Sequence, residues 1–145
     1  MKIKQTRNTL SDTYLDAVRI RQLVFVKEQG VPLSLEIDEN EAYCLHFVLY
    51  DDNGQAAATC RIFPNKDHSE ATLQRMAVLP AYQGQHLGKY LLQDVITFCQ
   101  KQGFKRMVLH AQLTAKGFYD KLGFTCFGEE FEKAGIMHIS MEKLL

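Results

Sequence analysis

The 145-residue chain has no excess charge of either sign: Lys plus Arg is 17 and Asp plus Glu is 17. That balance argues against binding driven by bulk charge, so neither nucleic acid nor an anionic membrane is an expected partner, although a small basic pocket is still allowed. No apolar run approaches the ~20 residues needed to cross a bilayer. The opening MKIKQTRNTL lacks the apolar segment of a signal peptide. A cytoplasmic location is therefore expected. The four cysteines, Cys44, Cys60, Cys99 and Cys126, form no CxxC pair, and three sit in apolar runs. Reduced, mostly buried thiols follow. A zinc site would need His and Cys converging from distant strands, which nothing in their spacing signals, so no metal is expected. Repeats, linkers and low-complexity segments are also missing.

What remains is an ordinary globular balance, 46% hydrophobic and 23% charged, in a length suited to one domain, residues 1–145. Met1 to Lys4 reads as a short edge strand. Ser11 or Asp12 can cap a helix with Tyr14, Leu15, Val18 and Leu23 on its apolar face. The chain turns at Gly30-Val31-Pro32, and SLEIDENEA is polar enough for a loop or short helix. Tyr43–Tyr50, Ala56–Phe63 and Ala71–Leu79 read as consecutive strands, the first two joined by the hairpin signal Asp51-Asp52-Asn53-Gly54. Leu87, Leu91, Val95 and Phe98 line a helix that Gly103 stops. A strand at KRMVLHAQ, a short helix at TAKGFYDKLG and strands at FTCFGE and Ile136–Met141 follow, the last closing the sheet. This order gives an α/β fold with a mixed central sheet flanked by helices. Late strands with open edges would suit a homodimer.

Between strand and helix lies Gln83-Gly84-Gln85-His86-Leu87-Gly88-Lys89. A helix N-terminus offers unpaired N–H groups and partial positive charge, both suited to phosphate, and its two glycines permit unusual backbone angles and close approach. A tight turn with no ligand explains the same glycines. Neither GxxxxGK[ST] nor the dinucleotide GxGxxG occurs.

Met76-Ala77-Val78-Leu79-Pro80 followed by this turn resembles the acetyl-coenzyme A signature of the GNAT N-acetyltransferase superfamily. Its pattern is Gln or Arg, two residues, Gly or Ala, one residue, then Gly or Ala. Gln83 and Gly88 match the ends, Gly84 is a frequent extra glycine, and His86 departs at the middle position. RQLVFVKEQGVP, EID, HAQ, FYDKLGF and GIMHISM together resemble the YjcF/ElaA-like branch. The resemblance implies a GNAT-like acyl-CoA N-acyltransferase fold with acetyl-CoA as cosubstrate. Backbone groups at Met76, Ala77 and Val78 would hold the pantetheine arm. The pyrophosphate would lie over the amides of Gly84, Gln85, His86, Leu87, Gly88 and Lys89, and Gln83 and Phe118 would also belong to the cofactor site. His86 fits if its backbone stays helical and its ring points outward.

Acetyl transfer needs a neutral amine, a donor for the oxyanion and a proton for the leaving thiolate. No Ser-His-Asp or Cys-His arrangement is evident, and the resemblance implies direct transfer to a small-molecule primary amine. It also implies Tyr119 as general acid, although Tyr119 can equally pack its short helix. Glu28, beside Phe25 and Val26, is a candidate base if partly buried and a bystander if exposed. His110 either orients an amine or water, or is a hydrogen-bonded core residue. Asp38, Glu39 and Glu41 can attract an ammonium group or form a solvated loop. His138 can line the acceptor pocket, and Arg75 can form a buried ion pair or face the cleft. A non-catalytic acyl-CoA-binding protein and a protein acetyltransferase are the alternatives.

Overall fold

The computed structural model describes the backbone of residues 1–145 and all side chains except those of Ser34 and Leu35. The first strand, β1, spans Lys2–Thr6, and α1 spans Asp12–Arg21. Ser11 starts α1 by accepting the Tyr14 amide at 3.2 Å, which satisfies one of the orphan donors of the first turn. The buried face is Tyr14, Ala17, Ile20 and Arg21, whereas Leu15 and Leu23 are exposed. Of the expected face, Tyr14 is buried and Val18 half-buried, whereas Leu15 and Leu23 point outward. One reason is that α1 runs without a break into a π-helical segment, Gln22–Glu28, whose wider turn puts Val24 inward instead of Leu23. Gly30, at φ 72°, ends it.

A short helix α2 (Leu33–Glu36) leads to a meander of β2 (Leu45–Tyr50), β3 (Ala56–Pro64) and β4 (Glu70–Val78). Next come α3 (Leu87–Lys101), β5 (Arg106–Gln112), α4 (Lys116–Lys121), β6 (Thr125–Lys133) and β7 (Ile136–Leu144). The sheet order is β1-β2-β3-β4-β5-β7-β6, with β4 and β5 parallel and every other neighbour antiparallel. The last strand does not close the sheet. It lies inside, between β5 and β6, because the β6–β7 hairpin returns it along a full ladder with β5. Of the late strands only β6 is an edge.

The core has a half on each face of this sheet. Leu91, Leu92, Val95 and Ile96 of α3 pack with Phe47, Leu49, Cys60 and Ile62. Ala17, Ile20 and Val24 pack with Val48 and Ala77 on the other side. Strand β2 is buried from Leu45 to Leu49, His46 included, because both its faces are covered. The cysteines are free thiols, three of them buried. No helix among the described residues is long and apolar enough to cross a membrane.

Candidate active site

The parallel ladder between β4 and β5 is short. It pairs Glu70 with Arg106 through Leu73 with Leu109 and then stops. Beyond it β4 keeps only its β3 partner, and the pairing slips between Thr59 and Arg61 so that β4 holds an extra residue. Arg75 sits in this bulge at φ 58°, a left-handed backbone that is uncommon for a residue with a side chain. The bulge turns β4 away from β5, and the gap is a cleft of about 1030 Å³. One wall is β4 from Thr72 to Val78. The other includes Leu109 to Gln112 of β5, with α4 and the β6–β7 turn.

The Gln83–Lys89 turn lies against this cleft. Gly84 has φ 80° and His86 has φ 62°. The expected helical backbone at His86 is thus corrected: His86 is the left-handed residue immediately before α3, a position that costs a non-glycine residue roughly 1 kcal/mol. It is exposed, as expected for an outward ring, yet it still contributes to the cleft wall. No side chain caps α3, in contrast to Ser11 on α1, so the first-turn amides are open to an anion. The Gln83 side chain donates to the Val78 carbonyl at 3.2 Å and ties the turn to β4. Gln85 points elsewhere, donating to the Ala81 carbonyl at 3.3 Å, and its side chain takes no part in the wall. A Cβ at Gly88 would lie 3.4 Å from Val78 and 3.5 Å from the Phe118 ring. Anything larger than alanine there meets β4, α4 or the cleft. Met76, Ala77, Val78, Leu87, Lys89 and Phe118 line the same space. The unpaired side of β4 and the uncapped amides of α3 therefore suit an extended pantetheine arm and a pyrophosphate.

Tyr119 of α4 lines the cleft from within the core. Its ring meets Phe118 at 5.0 Å and Phe124 at 5.9 Å, both edge-on. Its hydroxyl makes no hydrogen bond to any described residue, and burial, with the Cys60 thiol beside it, pushes its pKa well above the usual phenol value. His110 is not a core residue. It is exposed on β5, edge-on to Phe131 at 5.3 Å. Desolvation and the charges of Lys133 and His138 push its pKa down. His138 on β7, opposite Gln112, also meets Phe131, stacked on its ring at 5.8 Å. Its Nδ1 lies 2.7 Å from the Ile136 carbonyl oxygen. That oxygen only accepts, so Nδ1 carries the proton, and Nε2 of the neutral ring is an acceptor.

Glu28 stands apart. It is exposed and absent from the cleft wall, so the burial that would make it a base is not found. The π-helical turn directs Phe25 and Gln29 to the cleft instead, and Gln29 accepts from Gln112 of β5 at 3.1 Å.

The acidic run is neither a solvated loop nor an open ammonium site. Glu41 accepts from the Tyr14 hydroxyl at 2.9 Å, from Arg21 at 2.8 and 3.0 Å, from Arg61 at 2.6 Å and from the Asp38 amide at 3.1 Å. Arg21 also reaches Glu36 at 2.7 Å, and Arg61 reaches Asp38 at 2.7 Å. Arg75 does both things expected of it: it pairs with Glu36 and Asp38 at 3.3 Å while lining the cleft. Only Glu39 of the run is exposed. Arg61 carried no local signal of this role; for Arg21 the one clue was its helical spacing from Tyr14 and Ala17, which puts an arginine on the buried face of α1. Among the described residues, no group of three or more His, Cys, Asp or Glu could hold a metal ion.

Comparison with known proteins agrees with this geometry. Residues 19–145 match the model of the acetyltransferase (GNAT) domain family. The uncharacterised N-acetyltransferase YjcF of Bacillus subtilis is 36% identical over 129 residues, covering 88% of this chain and 90% of the relative. The crystal structure of Escherichia coli ElaA superposes with a TM-score of 0.84 at 27% identity, over 98% of this chain and 99% of that one. A Lactobacillus plantarum structure, solved as a candidate N-acetyltransferase, gives a TM-score of 0.92 at 28% identity, over 99% and 97% of the two chains.

Proposed function

The chain belongs to the GNAT acetyltransferase family, using acetyl-CoA as cosubstrate, and from that premise we propose direct transfer of the acetyl group to the primary amine of a small molecule. The observation that carries this reading is the splay of β4 from β5. It opens one cleft that joins the uncapped amides of α3 to the Tyr119 hydroxyl and the His110–His138 pair. Binding and proton transfer thus share a single space.

The roles follow from the groups themselves. Amides of the first turn of α3 hold the pyrophosphate, and the open side of β4 from Met76 to Val78 orients the arm. Tyr119 donates a proton to the departing sulfur. His138 accepts the amine proton at Nε2, its tautomer set by the Ile136 carbonyl. His110, whose pKa desolvation and the Lys133 charge push down, orients the amine.

Two measurements test this. Gly88→Val adds γ carbons where Val78 and Phe118 already leave only van der Waals room for a Cβ. We expect a folded protein, judged by thermal melting, whose acetyl-CoA affinity in calorimetry falls at least about 10-fold, the equivalent of ~1.4 kcal/mol. Unchanged affinity in the folded variant removes the cradle. For the base, His138→Gln should lower kcat/KM about 10²-fold while leaving acetyl-CoA affinity in calorimetry unchanged. If kcat/KM stays parent-like, His138 does not take the proton.

A further inference from the structure

We propose that the amine acceptor carries a carboxylate, held at the acceptor end of the cleft by Lys133 with Arg75 beside it. This rests on the acetyltransferase reading and adds the substrate class. The first argument concerns negative charge. Glu36 is the one acidic side chain among the described residues lining the cleft. Its oxygens are engaged, one with Arg21 at 2.7 Å and the other with Arg75 at 3.3 Å. Asp38 and Glu41 are likewise held by Arg61, Arg75 and Arg21. A cationic acceptor therefore finds no carboxylate left to receive it.

Positive charge is in the opposite condition. Lys133 lines the same end of the cleft and forms no ion pair with any described carboxylate. The carboxylates of Glu36, Asp38 and Glu41 match the guanidinium groups of Arg21, Arg61 and Arg75 in number. Lys133 adds a charge with no ion-pair partner among the described residues. It is exposed at the rim of the cleft, and desolvation and repulsion from Arg75 and Arg61 push its pKa down, outweighing the attraction of Asp38 and Glu36. The side chain is also well placed. Lys133 ends β6 and pairs with Ile136 across a tight turn in which Ala134 has φ 52° and Gly135 φ 78°. That two-residue turn with both angles positive fixes the hairpin's register, and Ala134 and Ile136 flank the lysine on the cleft wall. Lys89 and Lys121 also line the cleft and form no ion pair with any described carboxylate, but Lys133 is set among Arg75, Arg61, Asp38 and Glu36, where one added charge suits a singly charged carboxylate better than a phosphate dianion.

Product-side probes make the test, because an acetamide bearing a carboxylate represents the product whatever the rest of the acceptor is. Protein loaded with CoA is titrated by calorimetry at low ionic strength with N-acetylglycine, N-acetyl-β-alanine and N-acetyl-L-phenylalanine, each against its primary amide. In at least one pair the acid should bind about 10-fold more tightly than the amide, as for a charge-assisted hydrogen bond. Lys133→Met should abolish that preference, Lys133→Arg should retain it, and acetyl-CoA affinity should be the same in all three proteins. Equal binding of acids and amides, binding of no acid, or a preference that survives Lys133→Met overturns the proposal. Failure of the unaltered protein to bind acetyl-CoA overturns the underlying acetyltransferase reading instead.

Discussion

Tyr119→Phe is expected to slow acetyl transfer about 10²–10⁴-fold, the usual contribution of a positioned general acid, with acetyl-CoA affinity nearly unchanged. The substitution keeps the ring and its edge-on contacts to Phe118 and Phe124. It removes a hydroxyl that has no hydrogen-bond partner among the described residues, so no buried group is orphaned and the melting temperature should hold or rise slightly. Activity and stability therefore separate, which a packing role alone does not allow. The raised pKa of Tyr119 keeps the phenol protonated across the working pH range. It also makes full proton loss harder, but a thiolate released into the same desolvated cleft has its own proton affinity raised. The difference that governs transfer is consequently smaller than the phenol's shift alone. Single-turnover acetyl transfer, followed apart from product release, is the measurement. A parent-like rate there ends the assignment of Tyr119 as acid.

The order of elements was readable from sequence because their signals are local: Ser11 before a helix, Asp51–Gly54 between strands, Gly103 after a helix. Local signals fail where a neighbour decides the outcome. Leu23 reads as a core residue by helical spacing, but the π-helical turn rotates it outward and brings Val24 in. The insertion of β7 between β5 and β6 is a pairing choice that no single strand encodes. At the site, the turn between β4 and α3 was legible because glycine spacing reports on backbone. The side chains were less so. For Glu28 and His110 the sequence left a buried and an open reading side by side, and both are exposed, Glu28 outside the cleft and His110 on its wall, because exposure depends on what packs above. His86 and Arg75 adopt left-handed backbone that their residue types do not advertise. The ion-pair cluster joins positions 21, 36, 38, 41, 61 and 75, separations at which one sequence alone gives no pairing signal.

That cluster supports the other large expectation. Glu41→Gln should destabilise the fold by about 3–5 kcal/mol, the range for removing one partner of a buried ion pair. At this chain length such a loss corresponds to a melting temperature lower by on the order of 10–15 °C. The carboxylate serves Arg21, Arg61 and the Tyr14 hydroxyl together, and an amide presents an N–H group where two guanidinium groups already donate. The pH dependence gives a second, independent reading. Burial pushes the Glu41 carboxyl up, but hydrogen bonds from Arg21 and the Asp38 amide and the charges of Arg21 and Arg61 hold it well below the usual carboxylate range. A depressed folded-state pKa contributes stability that is fully present above the unfolded value of about 4.3 and is lost as pH falls below it. Glu36 acts in the opposite sense: desolvation leaves its pKa raised despite Arg21, so its ionisation costs stability at higher pH, and acid relieves that cost. Denaturant unfolding of the parent and the variant from pH 7 down to pH 3 separates the two, because Glu36 is common to both proteins. The stability gap should be widest near neutrality and narrow steadily below about pH 4.3. A gap that stays constant through that range means Glu41 is protonated alike in the folded and unfolded chains, and the cluster then owes its strength to shape and hydrogen bonding instead of charge. Because these same contacts anchor the segment that brings Phe25, Gln29 and Glu36 to the cleft, the variant should also bind acceptor less tightly at neutral pH, before any loss of fold.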